Sequence, residues 1–584
     1  MIIEKRWIEK KSGDCELVKS LSKTLNIDRV LSNLLVQRGI SNFNEAKSFF
    51  RPEISKLHDP FLMKDMDKAI SRIEEAIKAN EKILIYGDYD VDGTTAVALV
   101  YLFIKSIYEN VDFYIPDRYT EGYGISYKGI EYAFINDFKL IIALDCGIKA
   151  VEKIDFANSK NVDFIICDHH RPGEKIPQAV AVLDPKRDDC NYPFKDLSGC
   201  GVGFKLAQAF AQKRNIAFEN VEKYLDLVAI SIASDIVPVT GENRILAYYG
   251  LISINKNPRP GIEAILKYSN IVRTKAPKTS EGVLNKVLTI SDIVFLVGPR
   301  INAAGRIESA NNSVKLLVTD DDAYANQIGQ QINSLNTERR NLDTQITQDA
   351  IEMIKRDKYL LEKKSTIVYH PEWHKGVIGI VASRLTEFCY RPTIVFTKSN
   401  DIITGSARSV KDFDIYNAID ACEEYLEHFG GHKYAAGLSL KTENYIPFCR
   451  KFEEVVSSTI NDNLLIPEVE IDSKLNLNEI NSKFFRILKQ FAPFGPGNMA
   501  PVFLTNSVID TGYARIVGKN HLKLKVVQTE KNGFPYDAIA FQQGEYLQKV
   551  RNIKPFNICY HIDENEWNGQ KSKQLNIKDI KFDI

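Results

Sequence analysis

The chain lacks any apolar run long enough to span a bilayer, and its first residues, MIIEKRWIEKKSGD, are charged where a secretion signal would be apolar. It also lacks low-complexity segments and short-period repeats. Its nine cysteines form no CxxC pair and no zinc-ligand spacing, so we expect reduced thiols. Together these absences predict a soluble protein of the cytoplasm.

An excess of one charge is missing as well. The 76 Lys and Arg residues balance 76 Asp and Glu residues, and the pI is about 7.1. This balance argues against general coating of a polyanion, although it allows a local basic groove. The composition is that of a globular protein, and 584 residues exceed what one core supports, which predicts three or four domains.

The pattern along the chain predicts five blocks. Short β-branched runs that alternate with helix-like stretches predict βαβ units and a mostly parallel sheet. A stretch from Ala323 to Arg356 with apolar residues near helical spacing predicts one long helix that joins two lobes. The blocks are an N-terminal segment (1–75), a parallel-sheet domain (76–247), a helical region with the long helix (248–356), a second α/β domain (357–460) and a β domain (461–584).

Acidic and histidine residues follow the ends of four apolar runs. In an open parallel sheet, residues just past the carboxyl ends of the strands share one crevice, so we expect these clusters to converge. Carboxylates with imidazoles suit manganese or magnesium, and so many carboxylates would repel one another without cations. Two metals that share a bridging aspartate are the expected arrangement. The clusters are Asp88, Asp90 and Asp92 in GDYDVDGTTA, Asp145 in DCG, Asp168, His169 and His170 in CDHH, and Asp235 after LDLVAISIAS.

Two simpler explanations of GDYDVDGTTA compete with a metal centre of this kind. The pattern DxDxDG also begins an EF-hand calcium loop, which requires a glutamate at its twelfth position and a helix before it. Here the twelfth position is Leu99 and a strand-like run precedes Asp88, which excludes the calcium loop. A solvated turn would be the default for one such motif alone. The coincidence with the other three clusters argues against a turn.

The ordered motifs GDYDVDGTTA, LDCG, CDHH and SDIVP resemble those of the DHH phosphoesterase superfamily. Within it, GYG at 122–124, GPRINAAGR at 298–306, WHKGVIGIVASRL at 373–385, GSARS at 405–409 and GGHKYAAG at 430–437 are similar to the RecJ family of single-strand-specific exonucleases. The resemblance implies an α/β multidomain fold. Its parts would be a parallel-sheet DHH domain, a long connecting helix, an α/β DHHA1 domain and a C-terminal β-barrel OB-fold.

The resemblance also implies roles in the metal centre. Asp145 would bridge two ions, and Asp168 would orient the histidines, as such ligands commonly require. His170 would contact the scissile phosphate as a charge stabiliser or proton donor. The implied catalytic residues are His170, Asp145 and Asp168. The implied metal ligands are Asp88, Asp90, Asp92, Asp145, His169 and Asp235.

Substrate-binding residues are expected in three further motifs. Ser406 and Arg408 in GSARS combine a hydroxyl and a forked cation that suit a terminal phosphate, although an exposed turn is an open alternative. The resemblance implies that this region and Arg118 bind the 5′ end. Two further sets are expected to contact the strand: Gly430, Gly431 and His432 in GGHKYAAG, and Arg300 and Arg306 in GPRINAAGR, for which packing or capping roles are equally open.

The C-terminal block contains a basic strand. In ARIVGKNHLKLKVV, strand periodicity places Lys523 and Lys525 on one face, and Arg515 and Lys519 extend the basic patch. Such a surface suits single-strand binding by an OB-fold, and an ordinary solvated strand face is the open alternative. In the preceding loop, FAPFGPGNMAPVF, Met499 stands where the family pattern suggests proline, which leaves the stiffness of this loop open.

The activity implied is that of a 5′–3′ exonuclease that hydrolyses single-stranded DNA to 5′-mononucleotides with two Mn²⁺ or Mg²⁺ ions per active site. The implied setting is DNA recombination and repair. Single-stranded DNA with a free 5′ end, a helicase and a single-strand-binding protein are the expected partners of a monomer without membrane contact. Two alternatives stay open: another DHH hydrolase of short oligonucleotides, cyclic dinucleotides or pyrophosphate, and a non-catalytic DHH scaffold.

Overall fold

The computed structural model describes residues 4–274, 283–399, 401–529, 533–552, 554–567 and 570–582. The chain divides into two compact units. We call residues 47–338 with 491–499 the aspartate unit, and residues 1–46, 339–490 and 500–584 the barrel unit. No helix within these described ranges is both long and apolar enough to cross a membrane.

The N-terminal segment is mainly helical. Two of its helices begin at aspartate caps, since the Asp14 side chain accepts hydrogen bonds from the amides of Glu16 and Leu17 and Asp28 accepts one from Val30. The elements are β1 (Arg6–Glu9), α1 (Cys15–Leu25), α2 (Arg29–Gln37), α3 (Phe43–Phe50) and α4 (Met66–Lys78).

A parallel sheet is the centre of the aspartate unit. Its elements are β2 (Lys82–Gly87), α5 (Val91–Lys105), β3 (Val111–Tyr114), α6 (Tyr127–Ile135), β4 (Phe138–Leu144), α7 (Val151–Ser159), β5 (Asp163–Cys167) and β6 (Ala181–Leu183). Ile83 and Ile85 pack into one core with α4 and α5, while Leu84 and Tyr86 pack into a second core with α6 and α7. Because both faces are covered, the strands are continuous apolar runs, as in other buried parallel sheets.

The strand order β3-β2-β4-β5-β6 places β2 beside β4, although β3 lies between them in the sequence. This order creates a switch point, where ligands of open α/β sheets bind at the carboxyl ends of the strands. The last residues of four strands are register partners across the sheet: Gly87 with Leu144, Leu144 with Cys167, and Cys167 with Leu183. The residue after each of these strands therefore lies at one common edge.

Helices complete the aspartate unit and lead out of it. They are α8 (Gly199–Lys213), α9 (Glu219–Glu222), α10 (Leu225–Ser234), α11 (Gly241–Lys256), α12 (Pro260–Lys267), a hairpin of β7 (Arg273–Thr274) and β8 (Val283–Leu284), α13 (Ile290–Asp292), α14 (Gly298–Ile307), α15 (Asn311–Val318) and α16 (Asp322–Arg356).

Two predictions from the sequence can be compared with the structure in this region. The apolar stretch before Asp235 is the helix α10, so Asp235 follows a helix and not a strand of the sheet. Residues 225–233 are buried all round, which explains why no helical period is visible. The long helix is confirmed as α16, with Asp322–Glu338 in the aspartate unit and the remainder in the barrel unit.

The barrel unit contains a mixed sheet with the order β12-β13-β11-β10-β9. Val395 packs with α18 and the second half of α16 on one face, while Ile394 and Phe396 pack with α19 and α20 on the other. The elements are α17 (Lys358–Glu362), β9 (Thr366–Tyr369), α18 (Ile378–Cys389), β10 (Thr393–Ser399), β11 (Ile402–Arg408), α19 (Ile415–Asp420), β12 (His428–His432), β13 (Ala435–Lys441) and α20 (Tyr445–Thr459).

A closed β-barrel follows. Its strands pair in the ring β16-β20-β21-β19-β18-β16, which is the five-stranded barrel expected of an OB-fold. Leu522, Leu524 and Val526 alternate into its core. The elements are β14 (Glu468–Ile471), β15 (Ser473–Lys474), α21 (Ser482–Lys489), β16 (Phe503–Asp510), β17 (Arg515–Val517), β18 (His521–Gln528), β19 (Tyr536–Ala540), α22 (Leu547–Arg551), β20 (Phe556–Trp567) and β21 (Gln570–Phe582).

Candidate metal centre and substrate-binding residues

Four buried aspartates mark the carboxyl edge of the parallel sheet. Asp88, Asp145, Asp168 and Asp184 each directly follow a strand. The sequence pattern predicts the first three but not Asp184, because the three-residue strand AVL before it is too short to be recognised. The order of the strands, rather than proximity in the sequence, brings these carboxylates to one edge.

Asp90 and Asp92 lie at the start of α5. The Asp90 side chain caps the helix by accepting a hydrogen bond from the Gly93 amide at 3.0 Å. A side chain at position 93 would lie 2.4 Å from the carbonyl oxygen of Asp88, so only glycine fits this strand-to-helix turn. Leu99 lies inside α5, which agrees with the exclusion of a calcium loop.

Asp92 is held by residues far away in the sequence. Its Oδ2 accepts the Gly199 amide at 2.7 Å and its Oδ1 accepts the Cys200 amide at 2.8 Å, both from the N-terminus of α8. The Ser231 hydroxyl of α10 donates to Oδ1 at 2.7 Å. A side chain on Gly199 would come within 2.6 Å of Asp145 Cβ. These contacts orient the Asp92 carboxylate at the N-terminus of α8, and no sequence pattern pointed to Ser231 or Gly199.

His169 faces three carboxylates. Its Nε2 lies 3.2 Å from Asp145 Oδ1, 3.6 Å from Asp92 Oδ2 and 3.5 Å from Asp235 Oδ2. Ligand atoms converge within 4.8 Å in two groups, Asp145–His169–His170 and Asp92–His169–Asp235. The two groups share His169, and the first includes His170, which was expected to contact phosphate. Asp88 and Asp90 lie outside both groups.

Asp168 holds the pair of histidines. Its Oδ1 accepts the His169 amide at 2.7 Å and lies 2.7 Å from His170 Nδ1, while Oδ2 accepts the Ile148 amide at 2.9 Å. Burial alone would raise the pKa of Asp168, but the hydrogen bond and charge of His170 outweigh it and lower that pKa to about 2. These contacts fit the orienting role expected for Asp168.

Burial and mutual repulsion disfavour the charged carboxylates. Burial first, and then the charges of Asp92 and Asp90, raise the pKa of Asp235 to about 8 and the pKa of Asp145 well above its usual value. Burial and the charge of Asp90 act on the pKa of Asp88 in the same direction. A cluster of this kind becomes stable in its charged form when cations neutralise it.

Several atoms of the cluster are without hydrogen-bond partners in the described part of the chain. They are Asp145 Oδ1, Asp88 Oδ2 and both ring nitrogens of His169. Buried polar atoms are normally paired, and carboxylate oxygens with imidazole nitrogens are ligands of Mn²⁺ and Mg²⁺. The donor set therefore fits divalent cations.

Aromatic residues surround the histidine edge of the cluster. The Tyr123 hydroxyl lies 3.3 Å from His170 Nε2, and its ring contacts the ring of Tyr89 edge-on. Arg118 stacks over the Tyr89 ring, 4.9 Å from its centre. Burial and the charge of Asp90 raise the pKa of Asp88 well above its usual value, and the charge of Arg118 opposes this rise in part. The structure thus brings Arg118 to the metal centre and adds Tyr89 and Tyr123, to which the sequence analysis assigned no role.

The two arginines of GPRINAAGR differ. Arg306 lies in the last turn of α14, and its carbonyl accepts a hydrogen bond from Tyr119, which places it near Arg118. Arg300 is buried and donates to the carbonyls of Leu296 and Tyr268. These contacts agree with the packing alternative, and the strand contact expected of Arg300 stays a prediction.

The GSARS motif is not an exposed turn. It lies in β11, paired with β10 and β13, so the turn alternative is wrong. Arg408 donates to Ser406 Oγ at 3.1 Å, and burial lowers the pKa of its guanidinium. A side chain on Gly379, at the N-terminus of α18, would come within 3.0 Å of Ser406 Oγ and 3.1 Å of Arg408 Nη2. A helix N-terminus, a hydroxyl and an arginine therefore share one small space, which suits an anion.

GGHKYAAG forms the hairpin of β12 and β13. Gly431, with φ +153°, fits because a side chain there would lie 2.3 Å from the Ala435 carbonyl oxygen. Gly430 lines a surface cleft of about 510 Å³ together with Lys375 and His428. His432, at the end of β12, is exposed.

The basic strand has the expected alternation. Arg515 and Lys523 are direct cross-strand partners on β17 and β18, and Lys519 lies in the turn between these strands. Lys525 lies 5.3 Å from the centre of the Tyr513 ring. Like charges placed opposite each other are destabilising, which favours an anionic ligand over a merely solvated face.

Three family descriptions match the chain. They are the DHH family N-terminal domain over residues 82–232, the DHHA1 domain over 362–458 and the RecJ OB domain over 471–579. Each matched range coincides with one of the three sheets described above. The resemblance noted from the motifs is thereby confirmed.

Similar proteins cover almost the whole chain. The single-stranded-DNA-specific exonuclease RecJ of Bacillus subtilis is 35% identical over 577 residues, which are 98% of this chain and 70% of the relative. The protein of the same name from Escherichia coli is 33% identical over 536 residues, 88% of this chain and 90% of the relative. The crystal structure of RecJ from Thermus thermophilus with Mn²⁺ has a TM-score of 0.82 at 24% identity, covering 99% of this chain and 80% of that one, and shows the fold.

Proposed function

The chain belongs to the RecJ family and is a metal-dependent exonuclease specific for single-stranded DNA, and we propose that it degrades the strand from its 5′ end to 5′-mononucleotides. The observation that carries this proposal is the convergence of Asp92, Asp145, His169, His170 and Asp235 into two groups of ligand atoms. A scaffold without catalysis would not need this buried set of mutually repelling carboxylates.

The proposed metal ligands would hold two divalent cations, Mn²⁺ or Mg²⁺. His169 belongs to both groups of ligand atoms, and Asp145 Oδ1, in the first group, lies 3.2 Å from His169 Nε2, which supports the bridging role proposed for Asp145. Asp88 and Asp90, just outside these groups, complete the set. When bound, the cations activate water at neutral pH and stabilise both the attacking and the leaving oxygen of an in-line displacement.

His170 is the proposed phosphate contact. Asp168 fixes its Nδ1, so that Nε2 is the ring nitrogen left for the substrate, beside the Tyr123 hydroxyl. A charged His170 would stabilise the scissile phosphate and donate a proton to the leaving 3′ oxygen of the released nucleotide. The bond that breaks joins this 3′ oxygen to phosphorus, and water supplies the oxygen that replaces it.

Arginine side chains are the proposed binding groups for the 5′ end of the DNA strand. We assign the terminal phosphate to Ser406 and Arg408, supported by their contact, by the burial of Arg408 and by the helix N-terminus at Gly379. Arg118 and Arg306 are the proposed contacts beside the metal centre. A fixed phosphate site would select for strands that begin with a phosphorylated end.

The remaining strand is assigned to the barrel unit. The cleft at Gly430, the hairpin residues Gly431 and His432, and the basic strand with Arg515 and Lys523 offer an open backbone and positive charge. Lys519 and Lys525 extend this surface. Phosphate contacts combined with an aromatic ring such as Tyr513 are how OB-folds bind single strands without sequence preference.

The setting is inferred from the substrate. Because the enzyme needs a single strand with a free end, we propose that a helicase and a single-strand-binding protein deliver its substrate during recombination and repair in the cytoplasm. A monomer suffices for this chemistry, because every proposed ligand lies in one chain. The five domain ranges expected from the sequence also remain proposals.

End-labelled DNA tests the function. The protein is incubated with Mn²⁺ and single- or double-stranded DNA labelled at either end, alongside a dinucleotide and pyrophosphate. We expect immediate release of labelled mononucleotide from the 5′ end of single strands alone, and full loss of it in EDTA. Activity confined to the small substrates would support the other DHH hydrolases and overturn the proposal.

A further inference from the structure

A nine-residue segment of the aspartate unit lies, in the sequence, between two stretches of the barrel unit. Residues 491–499, FAPFGPGNM, belong to the aspartate unit, while the residues on either side of them belong to the barrel unit. This segment, which we call the strap, contacts the loop 235–240 that follows α10. We infer that the strap positions Asp235 for the metal, an inference that rests on the metal role proposed for that residue.

Arg244 of α11 anchors the strap. Its guanidinium donates to the carbonyls of Phe491, Ala492 and Pro493 at 3.0, 2.9 and 3.2 Å. It also donates twice to the carbonyl of Phe49, at 3.2 and 3.0 Å. Arg244 is only 5% exposed, so a full set of acceptors is what makes its buried charge tolerable. The start of the strap is therefore fixed to the aspartate unit.

Asn498 closes the strap into a turn. Its side-chain amide donates to the Phe491 carbonyl at 2.8 Å and to the Pro493 carbonyl at 2.9 Å. Gly495 and Asn498 exchange two backbone hydrogen bonds of 3.1 and 2.9 Å. Met499, which replaces the expected proline, is exposed at the end of this turn. The stiffness of the segment thus comes from Asn498 and Arg244 and does not depend on a proline at position 499.

The tip of the strap presses on the Asp235 loop. The Val239 amide donates to the Pro496 carbonyl at 2.7 Å. A side chain on Gly495 would lie 2.4 Å from Val239 Cγ2, and one on Gly497 would lie 2.9 Å from Thr240 Cγ2. The fit is close enough that one added methyl group must move the loop or the strap.

The loop needs this support because its own conformation is unfavourable. Ile236, directly after Asp235, has φ +61°, a conformation that a β-branched residue rarely adopts, and its side chain is 68% exposed. Such backbone persists where the surroundings impose it. Asn243 holds the Pro238 carbonyl from α11 at 3.0 Å, and the strap holds Val239. Together they direct Asp235 Oδ2 to 3.5 Å from His169 Nε2.

Matched glycine substitutions test the inference. Gly497 and Gly512 have φ +73° and +90°, so alanine costs backbone energy at both, but a side chain meets Thr240 only at position 497. We expect Gly497→Ala to weaken Mn²⁺ binding by about tenfold, because loss of a supporting contact lowers the affinity of a metal site by this order. The affinity is measured by calorimetry and by the electron paramagnetic resonance signal of free Mn²⁺. Gly512→Ala should bind Mn²⁺ as the parent does. Equal Mn²⁺ affinities of the two folded variants would overturn the inference.

Two further variants keep the test decisive. Gly495→Ala should also weaken Mn²⁺ binding, and Val239→Ala in the same chain should restore it, because it removes the atom that clashes. Asp235→Asn and Asp235→Asn/Gly497→Ala should bind Mn²⁺ equally weakly if the strap acts through Asp235. Parent-like Mn²⁺ affinity in Asp235→Asn would refute the metal role itself. A loss in Asp235→Asn but none in Gly497→Ala, or additive losses, would refute the strap alone.

Discussion

The metal centre and the basic strand of the barrel both bring like charges together, but in opposite surroundings. Asp92 and Asp145 are buried at a sheet edge, and each is fixed by contacts with neighbouring elements. Arg515 and Lys523 lie opposite each other on the barrel surface. In the first region water cannot screen the repulsion, whereas in the second it can.

This difference matches the two roles proposed above: the metal centre binds one kind of ligand at a fixed point, and the basic strand contacts a polymer that moves across it. Buried carboxylates need cations to become stable as charged groups, so the metal centre cannot lose a ligand without losing its chemistry. A screened basic face gains little from any single contact, and many such contacts add up to binding that depends on salt. An exonuclease needs both a fixed site of cleavage and a surface whose contacts with the DNA strand can be exchanged as the strand moves.

The largest expected effect is that of Asp145→Asn. The substitution keeps the shape but removes the negative charge of the carboxylate that lies 3.2 Å from His169 Nε2, and we expect turnover of single-stranded DNA to fall on the order of 10⁴-fold. In EDTA the variant should melt at a higher temperature than the parent, because a repelling buried charge is gone. Asp188→Asn, at an exposed aspartate, is the control that should leave both unchanged. Turnover near that of the parent would remove Asp145 from the metal centre.

Ser231→Ala has the next largest expected effect. It removes the hydroxyl that donates to Asp92 Oδ1, and we expect Mn²⁺ to bind about ten- to a hundredfold more weakly in calorimetry. The matched control is Ser313→Ala, which removes an equally buried hydroxyl that donates to the Ile301 carbonyl at 2.9 Å. Both variants should lose stability, but only the first should lose metal affinity. The same Mn²⁺ affinity in both would make Ser231 a packing residue.

These two variants also mark the limit of what the sequence could predict. Asp145 was identifiable because a β-branched apolar run ends directly before it, and such runs indicate buried parallel strands. Ser231 was not, since its contact with Asp92 joins residues 139 positions apart on two helices without a visible period. Asp184 was missed because a three-residue strand gives too weak a pattern.

The same limit applies to the strap and to the arginines. Arg244 and the strap carbonyls that it contacts are more than 240 positions apart, and no local sequence pattern indicates such a contact. Arg300 and Arg306 belong to one motif, yet the first is buried by the helices around it and the second ends its helix. Motif and periodicity thus predicted the fold class and the aspartates that follow strands β2, β4 and β5, whereas the supporting contacts depend on tertiary packing.

Arg408→Ala tests the phosphate site, whose surroundings lie between the two extremes. Its guanidinium is largely buried but has a hydroxyl and a carbonyl as partners, so we expect a moderate effect. Cleavage of 5′-phosphorylated strands should slow roughly tenfold, the value of a charge-assisted hydrogen bond. Strands with a 5′ hydroxyl should be cleaved as by the parent. An equal loss on both substrates would place Arg408 away from the terminal phosphate.

The smallest effect is expected for Lys523→Ala, and it brings out the contrast most directly. One phosphate contact fewer should weaken binding of single strands about threefold at low salt and reduce the slope of log K against log salt by roughly 0.7. Because Arg515 then faces no like charge, stability should stay level or rise, as it should for Asp145→Asn without metal. Lys554→Ala, at an exposed lysine outside the basic strand, should change neither quantity.

An unchanged salt slope in Lys523→Ala would mean that this face is an ordinary solvated strand. A reduced slope with unaltered turnover at saturating DNA would show that the basic strand contributes to binding of the DNA and that cleavage depends on the buried metal centre.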